Sequence, residues 1–422
     1  MSSLPEQDEF STHAVPTDAR VASFRVAAVA SVVSFSLPTF IAGIEVSNGV
    51  GPDLTLAAIL GGALVIFLIG WLMGSIGART GFNSYLLVRL AFGDVGARIV
   101  NLMFSISLLG WFGINLNLFG LALAGLSEEL FGVIPPELLV TIMASLLITL
   151  TTIIGFRAIN LVSTLMIPVL AFVALALLVT ATNQTAPLVA TSGAEMSLGD
   201  GISAIVGSIV IGSIIMPDIT RFLRTSGGAL LTSGTSFMIA QPFVMWVAAS
   251  AAMVLETQDI ISIMLTLGLG LGAFIIIIAG SWVLNALNLY SAVLGVTASL
   301  PSLSARTVTV VLGVTGVTAG LLNILDSFVT FLFYLSVIFI PVAGVIIVDH
   351  FIARPEAYRV TEVEDNQPIN RWGLLAWLVG AAVALTASEG FIGSLTRVAA
   401  LDAMLTAAVL YWIAARLGWV RQ

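Results

Sequence analysis

The chain has 422 residues, of which 59% are hydrophobic and only 9% charged. Soluble domains carry about 25% charged residues, so this composition excludes an ordinary water-soluble fold of this size. The net charge of -8, with no lysine among the 15 basic residues, excludes a nucleic-acid partner, which needs a basic face. There is no cysteine, and the two histidines, His13 and His350, lie far apart in the sequence and read as surface histidines of a terminus and a juxtamembrane loop. No thiolate site, disulfide or histidine-based metal or catalytic cluster can be assembled from these, and no cofactor is implied.

The first twenty residues are polar and acidic and lack a basic n-region, so they read as a disordered tail, not a signal peptide. A membrane helix needs about 20 apolar residues. Runs of that kind fall near 22–46, 55–78, 97–125, 134–155, 158–181 and 200–220, and again near 229–254, 264–296, 306–324, 327–352, 372–388 and 396–416. These are taken as spans one to twelve of an all-α membrane protein.

Span one is interrupted by Ser34-Phe35-Ser36-Leu37-Pro38, and span six carries Gly207-Ser208, Gly212-Ser213 and Pro217. Proline removes a backbone donor and glycine weakens helix continuity. Freed backbone groups survive in a bilayer only where protein or a wet cavity satisfies them. Paired broken helices point to a carrier's substrate site. The breaks lie five spans apart, which suits an inverted repeat: residues 21–181 and 200–352 form the two halves of a ten-helix core, and 353–422 adds two helices. Ser34, Phe35, Ser36 and Ser208 are expected where unwound backbone presents amides and carbonyls.

The arginines test the count. Arg20, Arg25, Arg79, Arg89, Arg98, Arg157, Arg221, Arg224, Arg306, Arg354, Arg359, Arg371, Arg416 and Arg421 all fall on one side if the spans alternate, and only Arg397 falls outside. The positive-inside rule then places both termini in the cytoplasm, in a plasma or inner membrane.

Polar residues inside spans carry information because they are costly there. In span three, Trp111 and Asn115 are four apart and share a helix face. An aromatic surface beside an amide suits a planar, hydrogen-bonding ring, although a core tryptophan and an interhelical amide bond fit the same pattern. In span eight, Ser281, Asn285 and Asn288 form one polar stripe at i, i+4 and i+7. Two asparagines provide donors and acceptors for an uncharged heterocycle, or else glue between helices. No arginine cluster lies inside the spans, so a phosphate-bearing or strongly anionic substrate is disfavoured.

Five segments, in order along essentially the whole chain, resemble a known family. They are Thr80–Gly93 after span two, Gly110-Trp111-Phe112-Gly113 in span three, Pro217-Asp218-Ile219-Thr220-Arg221-Phe222 at the end of span six, Asn285–Ser291 in span eight and Ile340–Asp349 in span ten. The chain is thereby similar to the cytosine/purine permease branch of the nucleobase:cation symporter-1 family. The resemblance implies a twelve-helix, leucine-transporter-like 5+5 inverted repeat with broken helices one and six. It implies alternating-access import of a nucleobase or related nitrogen heterocycle, with Trp111 stacking the ring and Asn115, Asn285 or Asn288 bonding its edge.

Leu108 stands where bacterial cytosine permeases carry a glutamine, and Ile209 where the family closes an aromatic sandwich with phenylalanine, so the base is left unassigned. Val283 and Leu284 replace the Ser/Thr pair of sodium-coupled members, which makes H+ the favoured coupling cation over Na+. Glu45 and Asp218, and more weakly Ser281, are the candidates for coupling. Rival readings are a same-fold carrier for an amino acid or other small organic molecule, and a channel or receptor. An enzyme is disfavoured, because no nucleophile–base or metal-ligand cluster is visible within the spans.

Overall fold

The computed structural model describes residues 13–154, 196–257, 270–300, 302–321, 327–359 and 367–420, with isolated helical positions at 175, 179 and 263. The described elements are helical and occupy spans one to four and six to twelve. Predicted span five, 158–181, lies outside the described residues but for positions 175 and 179. Eight of the described helices are long and apolar enough to cross a membrane.

Span one breaks where the sequence places the break. Helix Ser23–Val32 tightens into a 3-10 turn at Val33–Phe35, Ser36 is extended (φ -86°, ψ 152°), and helix Leu37–Val50 begins with Pro38 in its first turn. Proline is tolerated there because the amides of a first turn have no intrahelical acceptor. The Thr39 amide donates to Ser36 O at 3.0 Å, closing the restart.

Span six differs from expectation. Helix Leu198–Ile214 runs unbroken through Gly207, Ser208 and Gly212, and the interruption comes at Ile215–Met216, before the short helix Pro217–Thr220. Ser208 therefore does not sit on unwound backbone. Gly207 is a packing position: a Cβ built on it would collide with the carbonyl oxygen of Leu332 in span ten. The hydroxyls of Ser208 and Ser213 donate to Ile205 O and Val210 O, both at 2.7 Å, so they are satisfied within the helix.

Span seven, Gly227–Leu255, contains a π-helical segment at Gly234–Ala240 that the sequence did not announce. It packs on the break in span one. Ser34 Oγ donates to Ser236 O at 3.2 Å, and Ser236 Oγ donates to Ala30 O at 3.1 Å. Further along the same pair of helices, Gly43 meets Met245, whose carbonyl oxygen leaves no room for an added Cβ.

Span three starts as a separate helix. The run Ser84–Phe131 kinks at Gly93 (φ 78°, ψ 173°), which divides a nine-residue helix, Ser84–Phe92, from the long one that follows. Only glycine adopts that backbone without strain, and a side chain would also strike Gln367 O at 2.7 Å.

Two expectations about the periphery are corrected. Residues 13–20, read as tail, are docked: the amide of the buried Val15 donates to Gly81 O at 3.0 Å, and Arg20 Nη1 donates to Ala78 O at 2.8 Å. The next residue continues the docking, with the Val21 amide on Phe222 O at 2.7 Å. His350, read as a surface histidine, is buried at the end of span ten, edge-on to Phe351 and Tyr358 with ring centroids at 4.6 and 4.8 Å. In both cases the partners are distant in sequence or lie around a corner in the chain, so local polarity misleads.

Gly207→Leu tests the span six–span ten contact. Leucine favours a helix over glycine by about 1 kcal/mol, so without the contact the variant would be neutral or stabilised. Overpacking instead costs roughly 1–3 kcal/mol, and a lowered melting temperature in detergent is expected. Gly393→Ala, with nothing within 4 Å of its added Cβ, serves as the control.

Candidate functional site

Spans three and eight pack along much of their length. The Tyr85 hydroxyl donates to Ser291 O at 2.7 Å and Ser105 Oγ donates to Ala292 O at 3.1 Å. In the middle of this seam, Asn285 Nδ2 donates to Phe112 O at 3.1 Å, and Asn115 Nδ2 donates to Trp111 O at 2.8 Å. A main-chain carbonyl can only accept, so each amide is locked with its nitrogen on the backbone and its oxygen turned away. Both oxygens, Asn115 Oδ1 and Asn285 Oδ1, are buried with no hydrogen-bond partner, and so is Ser281 Oγ. A buried polar atom left unpaired costs about 1–3 kcal/mol.

Trp111 is 7% exposed and sits among aromatic rings from span ten. Phe328 and Phe331 meet it edge to face, with centroids at 6.0 and 5.4 Å and interplanar angles of 82° and 75°. Asn288, three residues beyond Asn285, is only partly buried. The stripe on span eight thus divides: Ser281 and Asn285 are enclosed, whereas Asn288 keeps some exposure. Trp282 faces away, donating its indole N–H to Thr151 Oγ1 of span four at 3.1 Å.

The broken helices contribute less directly than expected. Phe35 is half-buried against the core, and the buried Ser36 bonds locally, its Oγ 3.2 Å from Thr39 Oγ1. Ile209 is half-buried against the same core. Ser208 Oγ also accepts from Gln241 Nε2 of span seven at 3.4 Å. Gln241 is 1% exposed and its Oε1 has no partner. Its signal was present in the sequence, as a lone amide among the apolar residues from Phe237 to Val247, a costly placement in a membrane helix.

The coupling candidates separate by their partners. Asp218 Oδ1 accepts both the amide and the hydroxyl of Ser84, each at 2.7 Å, and so caps the helix that starts there. Glu45 is half-buried in helix Leu37–Val50 and is in none of the ion pairs found among the described residues. Among the described residues no group of three or more His, Cys, Asp and Glu side chains could hold a metal ion.

The closed conformation of Mhp1, a nucleobase-cation-symport-1 family transporter with bromovinylhydantoin bound, aligns with a TM-score of 0.79 at 19% identity, covering 96% of this chain and 95% of that one. Inward-facing Mhp1 aligns at 0.81 and 18% identity, over 97% and 93% of the two chains. A sodium-coupled sialic acid symporter follows at 0.66 and 13% identity, over 94% and 90%. At these identities the likeness is one of fold, and that fold is the leucine-transporter-like inverted repeat. In sequence, the cytosine permease of Escherichia coli strain K12 is 26% identical over 383 residues, 90% of this chain and 89% of the permease. The family model for permeases for cytosine/purines, uracil, thiamine and allantoin matches residues 15–414. With a match of that extent laid over this fold, the chain belongs to that permease family and is a multi-pass membrane transporter, not an enzyme.

Proposed function

We propose that this transporter imports an uncharged, planar nitrogen heterocycle of the nucleobase class by secondary active transport. The observation that carries the reading is the pair of locked amides beside Trp111. Asn115 and Asn285 each commit an amide N–H to a backbone carbonyl, which fixes the amide's orientation and leaves its oxygen as a free acceptor. Such an edge favours a ligand that brings N–H donors, as cytosine, uracil and the purines do, and the indole of Trp111 supplies a face for the ring. Among relatives, the Escherichia coli protein is named a cytosine permease, and Mhp1 is seen with a hydantoin, a ring that also bears N–H groups. Ile209, an aliphatic side chain where the family carries phenylalanine, leaves the second face of the ring less tightly held, which suits a base other than cytosine.

Transport follows alternating access. The breaks at Ser36 and at Ile215–Met216 let the ends of spans one and six pivot while spans three and eight hold their amide seam. The arginine distribution supports an orientation with both termini cytoplasmic in the plasma or inner membrane. For coupling, Val283 and Leu284 offer no side-chain oxygen to a sodium ion, which favours H+. Asp218 is committed to Ser84, so Glu45 is the better proton carrier of the two.

N-methylation removes one ligand donor and leaves the ring intact. Competition against radiolabelled uptake should therefore rank unmethylated bases above their N-methyl analogues by about tenfold or more, the worth of one hydrogen bond. Asn285→Leu should shrink that gap, and equal ranking in the two proteins would overturn the acceptor assignment. In proteoliposomes, a pH gradient, acid outside, should drive accumulation without sodium. Uptake that follows a sodium gradient and ignores pH would overturn proton coupling.

A further inference from the structure

Span ten ends in a buried polar hub that the substrate site does not use. The carboxylate of Asp349, fully buried, accepts from Arg354 Nε at 2.9 Å and Nη2 at 2.8 Å, from the Tyr358 hydroxyl at 2.7 Å and from the Tyr411 hydroxyl at 2.7 Å. Tyr411, on span twelve, accepts in turn from Asn370 Nδ2 at 2.8 Å, at the start of span eleven. A buried charge is costly unless it is paired and its remaining lone pairs are filled, and here both conditions hold.

The hub reaches outward to one target. Arg354 Nη2 donates to Leu90 O at 2.7 Å, Asn370 Nδ2 to Ala91 O at 2.7 Å and the Asn370 amide to Phe92 O at 2.9 Å. Those three carbonyls form the last turn of helix Ser84–Phe92, where the helix itself offers no donor. At the opposite end, Asp218 caps the helix through Ser84. An acid therefore sits at its positive end and a guanidinium at its negative end, both favourable to the helix dipole. Asp218 belongs to the short helix beyond the break in span six. The nine-residue helix is thus held at one end by the hinged tip of span six and at the other by spans ten, eleven and twelve.

We propose that helix Ser84–Phe92 is a strut coupling the tip of span six to span ten, and that Tyr411 and Asn370 of the two added helices are positioning residues that set its seat and hence the rate of conformational turnover. The inference rests on the transporter reading above. It makes spans eleven and twelve working parts, acting about the end of span ten instead of about the substrate. The external side agrees: the Arg397 carbonyl before span twelve lies against Gly199 near the start of span six, and Ser203 Oγ accepts the Ala400 amide at 3.4 Å.

The test compares wild type, Tyr411→Phe and Asn370→Ala, each also combined with Asp218→Asn. Turnover in proteoliposomes and equilibrium dissociation constant for the transported base are measured, along with amide hydrogen exchange over residues 84–98. The strut predicts turnover reduced at least fivefold with the dissociation constant within twofold, and faster exchange confined to 84–98. Combined with Asp218→Asn, either variant should lose less than the product of the single effects, because both loosen one element. Unchanged turnover, or exchange rising throughout the chain with parallel loss of affinity, would overturn the proposal and leave the hub as scaffold. Tyr358→Phe, touching the same carboxylate from the segment after span ten, replaces Tyr411→Phe if that variant does not fold. If wild type takes up none of the bases, the substrate reading fails. The exchange arm still decides the strut, since it asks whether Asp218→Asn loosens residues 90–95 at the far end.

Discussion

Inside a bilayer an amide or hydroxyl has no water to fall back on, so its partner must come from the protein or from a cargo. That constraint orders the whole molecule. Many of the described polar side chains in the spans are satisfied by the protein itself, within a helix for Ser208 on Ile205 O and Ser213 on Val210 O, and across helices for Ser34 on Ser236 O and Asp218 on Ser84. The exceptions that matter stand together in kind. Asn115, Asn285 and Gln241 each keep an amide oxygen buried and unmatched, while their nitrogens are engaged. Unmatched acceptors on three spans, with an indole between aromatic rings beside one of them, are the support for the proposed site for a donor-bearing ring.

How much of this was legible in the sequence depended on whether the cause was local. The break in span one was, because Pro38 carries its effect in its own ring. The break in span six falls at the Pro217 end of the expected stretch and not at its glycines, because a glycine that admits a neighbouring helix and a glycine that ends its own helix are the same letter. Gly207 does the first, against Leu332. The shared face of Trp111 and Asn115 followed from helical spacing, but the direction of the amides did not, since it depends on which carbonyls lie within reach. The π-helical segment in span seven and the docking of Val15 and Arg20 arise from contacts between elements far apart in the chain. For the same reason the Asp349 hub was invisible: its members are scattered from Leu90 to Tyr411, and only folding gathers them.

Stability and motion are divided between different seams. Spans three and eight form a continuous hydrogen-bonded pair, from Tyr85–Ser291 through Asn285–Phe112, that a hinge would tear. Spans one and six have interrupted backbones, and span seven, which lies on the first break, has a locally widened helix. On the proposed reading, a cargo resting on Trp111 would contact the fixed seam while the interrupted helices close over it. The proteins with the same fold include both a closed and an inward-facing conformation of one transporter, which is the range of states that such a division permits.

Equilibrium binding of the transported base to purified Trp111→Ala asks most directly whether a planar ring rests on Trp111. Stacking of a base on an aromatic side chain is worth about 1–3 kcal/mol, or roughly tenfold to hundredfold in affinity. A loss in that range is expected for the transported base, with partial retention in Trp111→Phe. Affinity unchanged in Trp111→Ala, in protein that remains folded, would contradict it.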